Sequence, residues 1–427
     1  MHRVVITGMG MSTSLGPDLQ TCWQRLLAGD NGIAPLSFWD PAEYNTKVVA
    51  EVKHVPRETG SESVPVAWCR RGVRLFLPVA RETLQDAGLR SENGAQYFSP
   101  SDIGIAVGTS VNYLDMALMK HYFQLRKPDS PALDMARFAR EGRQPDNSFY
   151  RRLGDMIASV PAKLLKLGGP AFVMDTACAA SSHAIGEAFR LVRLGKVKAM
   201  LAGGAAALVS PLPILAFSLL GALSRNSDPQ IASRPFDRQR DGFVMGEGGG
   251  AVLLETAESA QARGARIYAE LAGYGSSLNA YTLTDPSPDG SAEARAISIA
   301  LQQASLTPDD IDYVAAHGTS TPKNDPIETA AIKKVFGQQA KRLMVSSNKG
   351  QIGHTISAAG VCNLICAVKA IAEGHVPPTM HLRSPDPQCD LDYVPNQSRA
   401  AVVRAALAHA FAFGGQNAVL AVRGYAG

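Results

Sequence analysis

Short runs of β-branched and small apolar residues alternate with stretches of helical periodicity along the whole 427-residue chain. The runs "RVVIT" (3–7), "IGIAVG" (103–108), "AFVMD" (171–175), "AMLAGG" (199–204), "AVLLE" (251–255), "IDYVAAHG" (311–318) and "LMVSSN" (343–348) predict strands, and a last pair is expected near 401–423. Such alternation predicts an α/β fold with mixed or parallel sheets. Between 199 and 224 no residue is charged and most are apolar. Gly203, Gly204, Pro211 and Pro213 would break a membrane-spanning helix in its middle, so this stretch reads as a buried strand, a turn and a buried helix.

The pattern also repeats. "AFVMDTACAASSHAIGEAFRLVRLGKV" and "LMVSSNKGQIGHTISAAGVCNLICAVKAIAEGHV" share one plan: an apolar strand, a polar turn, a helix rich in Ala and branched residues, then glycine and a new strand. Two copies packed about a pseudo-twofold would bring both turns to one centre, Cys178 from the first and Lys349 with His354 from the second. The seam is expected around Glu255–Gly275, where "ESAQARGARI" predicts a short charged helix, giving halves of 1–260 and 261–427. The polar stretch 126–147 reads as a long surface excursion.

Composition narrows the class. With 46% hydrophobic and 19% charged residues the chain is globular, and a net charge of +4 lacks the basic stripe of a nucleic-acid binder. A mildly basic surface suits a small acidic partner. Six cysteines, at 22, 69, 178, 362, 366 and 389, form neither CxxC pairs nor an even ladder, which fits a reducing compartment. The N-terminus runs straight into a strand without a signal-peptide pattern, and a cytoplasmic protein is expected. "GMGMSTSLG" lacks the GxGxxG spacing of a dinucleotide loop.

Three segments carry candidate chemistry. Cys178 stands among alanines, just before a helix expected to start near Ala179. A helix N-terminus favours a thiolate, and its N–H groups can hold an oxyanion; a small buried hydrophobe is the competing reading. His317 follows an apolar strand, with the hydroxyls of Thr319, Ser320 and Thr321 and the carboxylates Asp325 and Glu328 close behind. Lys349 and His354 share a glycine-punctuated turn, which alone reads equally well as an anion-binding turn. Together they offer a thiol nucleophile and two imidazole donors. Such a set can hold an acyl group on sulfur, polarise a thioester carbonyl and stabilise the enolate left when a malonyl unit loses carbon dioxide.

Six motifs in order then carry a resemblance: "VVITGMGMSTSLG", "DTACAASSHAIGEA", "SRPFDRQRDGFVMGEGGGAVLLE", "AAHGTSTPKNDPIET", "SSNKGQIGHTISAAG" and "FAFGGQNAVL". Nearly end to end, the chain resembles an elongating, synthase II-like β-ketoacyl-acyl-carrier-protein synthase of the thiolase superfamily. The resemblance implies a thiolase fold, two similar α/β halves layered α-β-α-β-α. It implies Cys178 as the acylated nucleophile, and His317 and His354 as the groups that hold the malonyl carbonyl. Lys349 and Glu328 would form a supporting ionic network with Asp325 beside it, and Thr319 and Thr321 would hydrogen-bond the phosphopantetheine arm. Phe413 would gate the acyl pocket, its N–H joining that of Cys178 in an oxyanion hole. Priming relatives place asparagine where this chain has His354, which argues for elongation.

Asn112 and Tyr113 replace a usual glycine pair in a substrate loop and are expected to shape the acyl pocket. Gln416, Asn348 and Gln351 depart from the family's usual residues, and the wording before the nucleophile is nearer to ketosynthases of polyketide and specialised-lipid pathways than to housekeeping fatty-acid elongation. The implied partner is an acidic acyl carrier protein, whose docking patch would be Arg70, Arg71 and Arg74, with Arg126 and Lys127 as a second set. No metal or cofactor is implied, the substrates riding on phosphopantetheine. A homodimer is expected, a heterodimer with a chain-length-factor-like subunit being the alternative. Rival readings are a non-catalytic partner subunit, a zinc enzyme using Cys178, His317 and His354, and a thiolase. The first class lacks the cysteine that this chain keeps. Thiolases use a second cysteine as base, and none of the other five lies in a matching motif.

Overall fold

The computed structural model describes residues 1–55, 70–89, 97–110, 116–141, 154–282 and 285–427. Ten strands form its main sheet: β1 (Val4–Thr13), β2 (Ile103–Thr109), β3 (Ala171–Asp175), β4 (Ala199–Ala206), β5 (Gly248–Thr256), β6 (Ala269–Leu278), β7 (Tyr313–Ala315), β8 (Met344–Ser346), β9 (Ala405–Phe411) and β10 (Gln416–Arg423). Their order is β8-β7-β9-β10-β6-β1-β5-β4-β2-β3. Each half repeats one winding. Its first strand pairs antiparallel with its fifth, the fifth antiparallel with its fourth, and the fourth, second and third run parallel. The halves join where β1 meets β6 through three residue pairs, Val4–Leu271, Val5–Glu270 and Ile6–Ala269.

Helices complete the layers. Helices α1 (Arg71–Asp86) and α2 (Met156–Leu165) cover the outer face of the first half, while α5 (Ser291–Ala304) and α6 (Asn324–Phe336) cover that of the second. Two more, α3 (Ala180–Arg193) and α7 (Ala359–Glu373), pack against each other, and each touches strands of both halves. A helix covered on all sides needs an apolar or small residue at nearly every position, and "AGVCNLICAVKAIAE" supplies that for α7. The approach is close: a Cβ on Gly360 would lie 2.1 Å from Ser182 Oγ, and one on Gly186 would lie 2.5 Å from the Tyr274 ring. Only glycine tolerates such contacts. Residues 356–373 are the one described stretch long and apolar enough to cross a membrane, and 83% of it is buried inside this layered core.

The internal repeat thus acquires a residue-level meaning. Before each central helix a non-glycine residue adopts positive φ, Ala177 (47°) and Ile356 (40°), and a 3-10 turn follows, Ala177–Ala179 and Ile356–Ala358. Cys178 is the middle residue of the first turn and Ser357 of the second. The counterpart of Cys178 is therefore Ser357, while Lys349 opens the short helix Lys349–Ile352 and His354 follows it, both ahead of the matching turn.

Two other expectations change. The helix after β4, α4 (Pro211–Leu219), is only partly buried: Pro213 and Ile214 lie inside, but Leu215, Leu219 and the following Leu220 are exposed. Strand β6 occupies part of the expected seam, behind a helix at Ala257–Ala262. Its sequence "AELAGYGSSL" is too rich in Gly, Ala and Ser to give a strand signal, and β6 forms because β1 and β10 flank it.

Candidate active site

Strand β3 delivers the chain to the strained turn at Ala177, which holds Cys178 below the first turn of α3. The thiol is 2% exposed. Its Sγ lies 3.1 Å from His354 Nε2, and the backbone N–H groups of Phe413 and of Cys178 itself point at the sulfur. The helix terminus was expected to lower the thiol's pKa. Burial outweighs it and pushes the Cys178 thiol up to about 11, against the opposing pull of those N–H groups and the Lys349 charge.

His354 is oriented by its own loop. Its backbone N–H donates to Val244 O at 2.7 Å, and its Nδ1 accepts from the Ile356 N–H at 3.2 Å. An Nδ1 that accepts leaves the proton of a neutral imidazole on Nε2, so His354 presents an N–H to the Cys178 sulfur. The His317 ring stands edge-on to that of His354, centroids 5.2 Å apart. Burial, helped by the Lys349 charge, holds both imidazoles well below the ordinary histidine pKa, so both are neutral at physiological pH. His317 Nδ1 and Lys349 Nζ have no hydrogen-bond partner among the described residues. Burial brings the Lys349 amine down to about 8, although Glu328, Cys362, Cys178 and Asp325 favour its charge.

Lys349 and Glu328 make no direct hydrogen bond, and the Glu328 charge favours the protonated amine through space. Glu328, on α6, instead accepts the N–H groups of His317 (2.8 Å) and Gly318 (2.7 Å) and faces His409 Nδ1 at 2.9 Å. These partners hold its carboxyl below the usual range in spite of burial. Asp325 also braces backbone: it takes the N–H groups of Thr319, Ser320 and Phe236, with Arg240 at 3.8 Å, while burial raises its pKa. Both carboxylates fix the backbone of the His317 loop, and Lys349 acts on the imidazoles through its field. His409, a polar residue within the buried strand β9, went unnoticed in the sequence, where its place in "ALAHAF" was the available signal.

Cys178, His317 and His354 line a cleft of about 270 Å³ together with Thr319, Thr321 and Phe413. The Thr319 and Thr321 hydroxyls lie 2.9 Å apart, and the Phe413 ring tilts 6.2 Å from that of Phe217. Glu293 and Asn417 also line the cleft, and neither stood out in the sequence. Asn112 and Tyr113 lie outside the described residues. Asn348 and Gln351 turn away to structural bonds, Asn348 Nδ2 to Asn363 and Gln351 Nε2 to the carbonyls of Leu26 and Asp30. Gln416 opens β10 and is half-buried.

Of the docking arginines, Arg71 is engaged inside the molecule. It meets Glu247, whose side chain is 0% exposed, through Nε and Nη2, and it donates to Val52 O. Arg70 precedes α1 and Arg74 is half-buried on it. In the second set, the Arg126 guanidinium stacks 4.2 Å from the Phe123 ring centre, and Lys127 is exposed. The zinc reading meets a physical objection. The ligating atoms of Cys178, His317 and His354 do lie within 4.8 Å of one another, but His354 Nε2 carries a proton where a metal needs a lone pair.

Two like-wound halves with a thiol and two neutral imidazoles at their junction define an acyltransferase of the thiolase fold. The beta-ketoacyl synthase N-terminal domain matches residues 1–260 and the beta-ketoacyl synthase C-terminal domain matches 268–383. The chain is 41% identical over 424 residues to the 3-oxoacyl-[acyl-carrier-protein] synthase 2 of Synechocystis, covering 99% of this chain and 98% of that one. It is 38% identical over 421 residues to that of Staphylococcus aureus, with coverage of 98% and 97%. Among solved structures, the ishigamide ketosynthase/chain length factor shares 33% identity at a TM-score of 0.87, covering 100% of both chains. A chain from a type II polyketide synthase acyl-carrier protein in complex with its ketosynthase shares 33% at 0.86, with 99% and 100% covered. The chain belongs to the β-ketoacyl synthase family and is a synthase 2-like ketosynthase.

Proposed function

We propose that this enzyme condenses an acyl group held on Cys178 with a malonyl unit, both delivered as thioesters on an acyl carrier protein. The Cys178 sulfur attacks the incoming thioester carbonyl, the carrier's C–S bond breaks, and the carrier leaves as its thiol with the proton of Cys178. The malonyl thioester then loses carbon dioxide, and the electron pair of the broken C–C bond passes into an enolate held by the imidazole N–H groups of His317 and His354. The enolate carbon attacks the Cys178 thioester, whose oxygen takes up charge between the N–H groups of Cys178 and Phe413. Collapse of that adduct breaks the C–S bond to Cys178 and releases the 3-oxoacyl carrier. Neutral imidazoles suit this work, because they donate hydrogen bonds without adding a charge that would hold the malonyl carboxylate back. The observation that carries the reading is the Cys178 sulfur facing a protonated His354 Nε2 at 3.1 Å, with two backbone N–H groups beside it.

Thr319 and Thr321 would hold the phosphopantetheine arm and Phe413 would gate the acyl pocket, with Asn112 and Tyr113 shaping it. Arg70, Arg74, Arg126 and Lys127 would dock the carrier. The two solved neighbours, from an acyl-carrier-protein complex and a ketosynthase/chain length factor, support a carrier partner. A cytoplasmic homodimer without metal or cofactor is the proposed form; among the described residues β3 pairs with β2 alone, which leaves one edge open for a second copy. A specialised polyketide or lipid pathway rests on the departures at Asn112 and Tyr113, at Asn348, Gln351 and Gln416, and in the segment before the nucleophile. Housekeeping elongation is the second reading, favoured by the 41% identity to a synthase 2.

Intact-mass measurement after incubation with a panel of acyl-carrier thioesters tests the reaction, with Cys178→Ala alongside. An adduct on the wild type alone, discharged by malonyl-carrier, is expected, and the preferred chain reports the pathway. An adduct that persists in Cys178→Ala, or none with any chain, sinks the reading. Stoichiometric zinc in the purified protein would revive the metal alternative.

A further inference from the structure

Glu293 is a buried carboxyl that the reaction leaves unused. It sits in the first turn of α5, 2% exposed, and lines the same cleft as Cys178, Thr319 and Thr321. Its Oε1 faces the Asn279 amide at a long 3.4 Å, and its Oε2 has no hydrogen-bond partner among the described residues. Asn279 is itself pinned, its backbone N–H donating to Gly415 O at 2.7 Å and its Oδ1 accepting the Tyr281 N–H at 3.2 Å. Burial raises the Glu293 pKa, and the Glu328 and Asp289 charges add to that rise. A buried carboxyl oxygen without a partner is costly. In a cleft that takes up a ligand, the missing partner is a donor on that ligand.

We infer that Glu293 is a specificity-determining residue that accepts a hydrogen bond from an amide N–H of the carrier's phosphopantetheine arm through Oε2. The inference rests on the ketosynthase reading of the cleft and adds a contact to it. The arm carries two amide groups and must pass through this cleft to bring its thioester to Cys178. Its N–H groups lose water on entry and need acceptors. The Thr319 and Thr321 hydroxyls, bonded to each other, offer one kind of partner. Glu293 offers an acceptor on a helix, held by Asn279, so little ordering is required when the arm arrives.

The test compares acyl transfer to Cys178 from two hexanoyl thioesters, one on pantetheine and one on propanethiol, which has no amide. Its readout is the ratio of their kcat/KM values. Glu293→Leu, similar in size but without an acceptor, is expected to lower this preference for the amide-bearing thioester about tenfold, in line with one lost hydrogen bond. Glu293→Gln keeps an acceptor and is expected to hold the preference within about threefold. Glu293→Met serves if the Leu variant does not fold. A preference unchanged in Leu or Met, or one that falls as far in Gln, overturns the assignment while leaving the ketosynthase reading intact. Failure of the wild type to acylate with either thioester or with acyl-carrier would instead remove that reading, and this one with it.

Discussion

The Cys178 sulfur, the His354 imidazole and the Lys349 amine are all buried, and that burial moves each toward its neutral form. Neutral groups leave little electrostatic work for the arriving acyl chain to undo, and exclusion of water protects the thioester once it forms. The sign of one consequence can be worked out. The Lys349 pKa falls from 10.5 unfolded to about 8 folded. Below about pH 8 both states hold the proton, and folding buries a charge. Between about 8 and 10.5 the unfolded chain still binds a proton that the folded protein has released, so stability from this group rises with pH. Cys178 works oppositely: its pKa is raised from 9.0 to about 11, so its contribution is lost as pH rises from about 9 to about 11. Urea unfolding at pH 8 and pH 10 is therefore expected to show the wild type gaining on Lys349→Met as pH rises, by up to about tenfold in folding equilibrium per pH unit. A difference that stays constant with pH would contradict the shift. The residue types at this site were legible because cysteine, histidine and lysine stand out among alanine and glycine. His409 and Glu293 were not, since nothing in the local sequence tells a buried polar side chain from an exposed one.

Helix α1 shows how an element divides its charges between structure and surface. Arg71 and Arg74 are close in sequence, yet Arg71 is tied to a fully buried Glu247 and Arg74 has no such ion pair among the described residues. Breaking a buried ion pair by removing one member leaves the other charge stranded. Arg71→Ala is expected to cost about 3 kcal/mol or more in denaturant unfolding. Arg74→Ala is expected to cost no more than about 0.5 kcal/mol and to weaken carrier binding in titration calorimetry. An Arg71→Ala protein of full stability with lost carrier binding would restore Arg71 to the docking patch. The sequence read "CRRGVR" as one basic cluster because charge patterning has no view of what lies behind the helix. Elements with a strong local signal fared better: β3 falls on 171–175 and β2 within a residue of its expected end. Strand β6 and the exposed side of α4 were set by neighbours distant in sequence.

Across the whole molecule, neither half owns the site. Cys178 comes from the first; His317, Lys349, His354 and Phe413 come from the second. The halves share only three residue pairs between β1 and β6, but α3 and α7 are buried against each other and against strands of both. A chain cleaved between Ala262 and Ala269 is therefore expected to stay associated through this core. The associated pieces should acylate Cys178 in intact-mass measurement, while residues 1–262 alone should give no adduct. An adduct on that piece alone would mean the site needs only one half. The sequence by itself determined the alternation of elements, the repeat, the reacting residue types and their order, because periodicity and local turn chemistry are written in contiguous residues. Only the tertiary structure decided that Ser357 is the counterpart of Cys178, that Glu328 braces the His317 backbone and reaches Lys349 only through its charge, that Arg71 is structural, and that burial keeps the proton on Cys178 and holds His317 and His354 neutral. Each of those depends on which residues meet from distant parts of the chain and on how much water is left between them, and neither quantity is encoded at any single position.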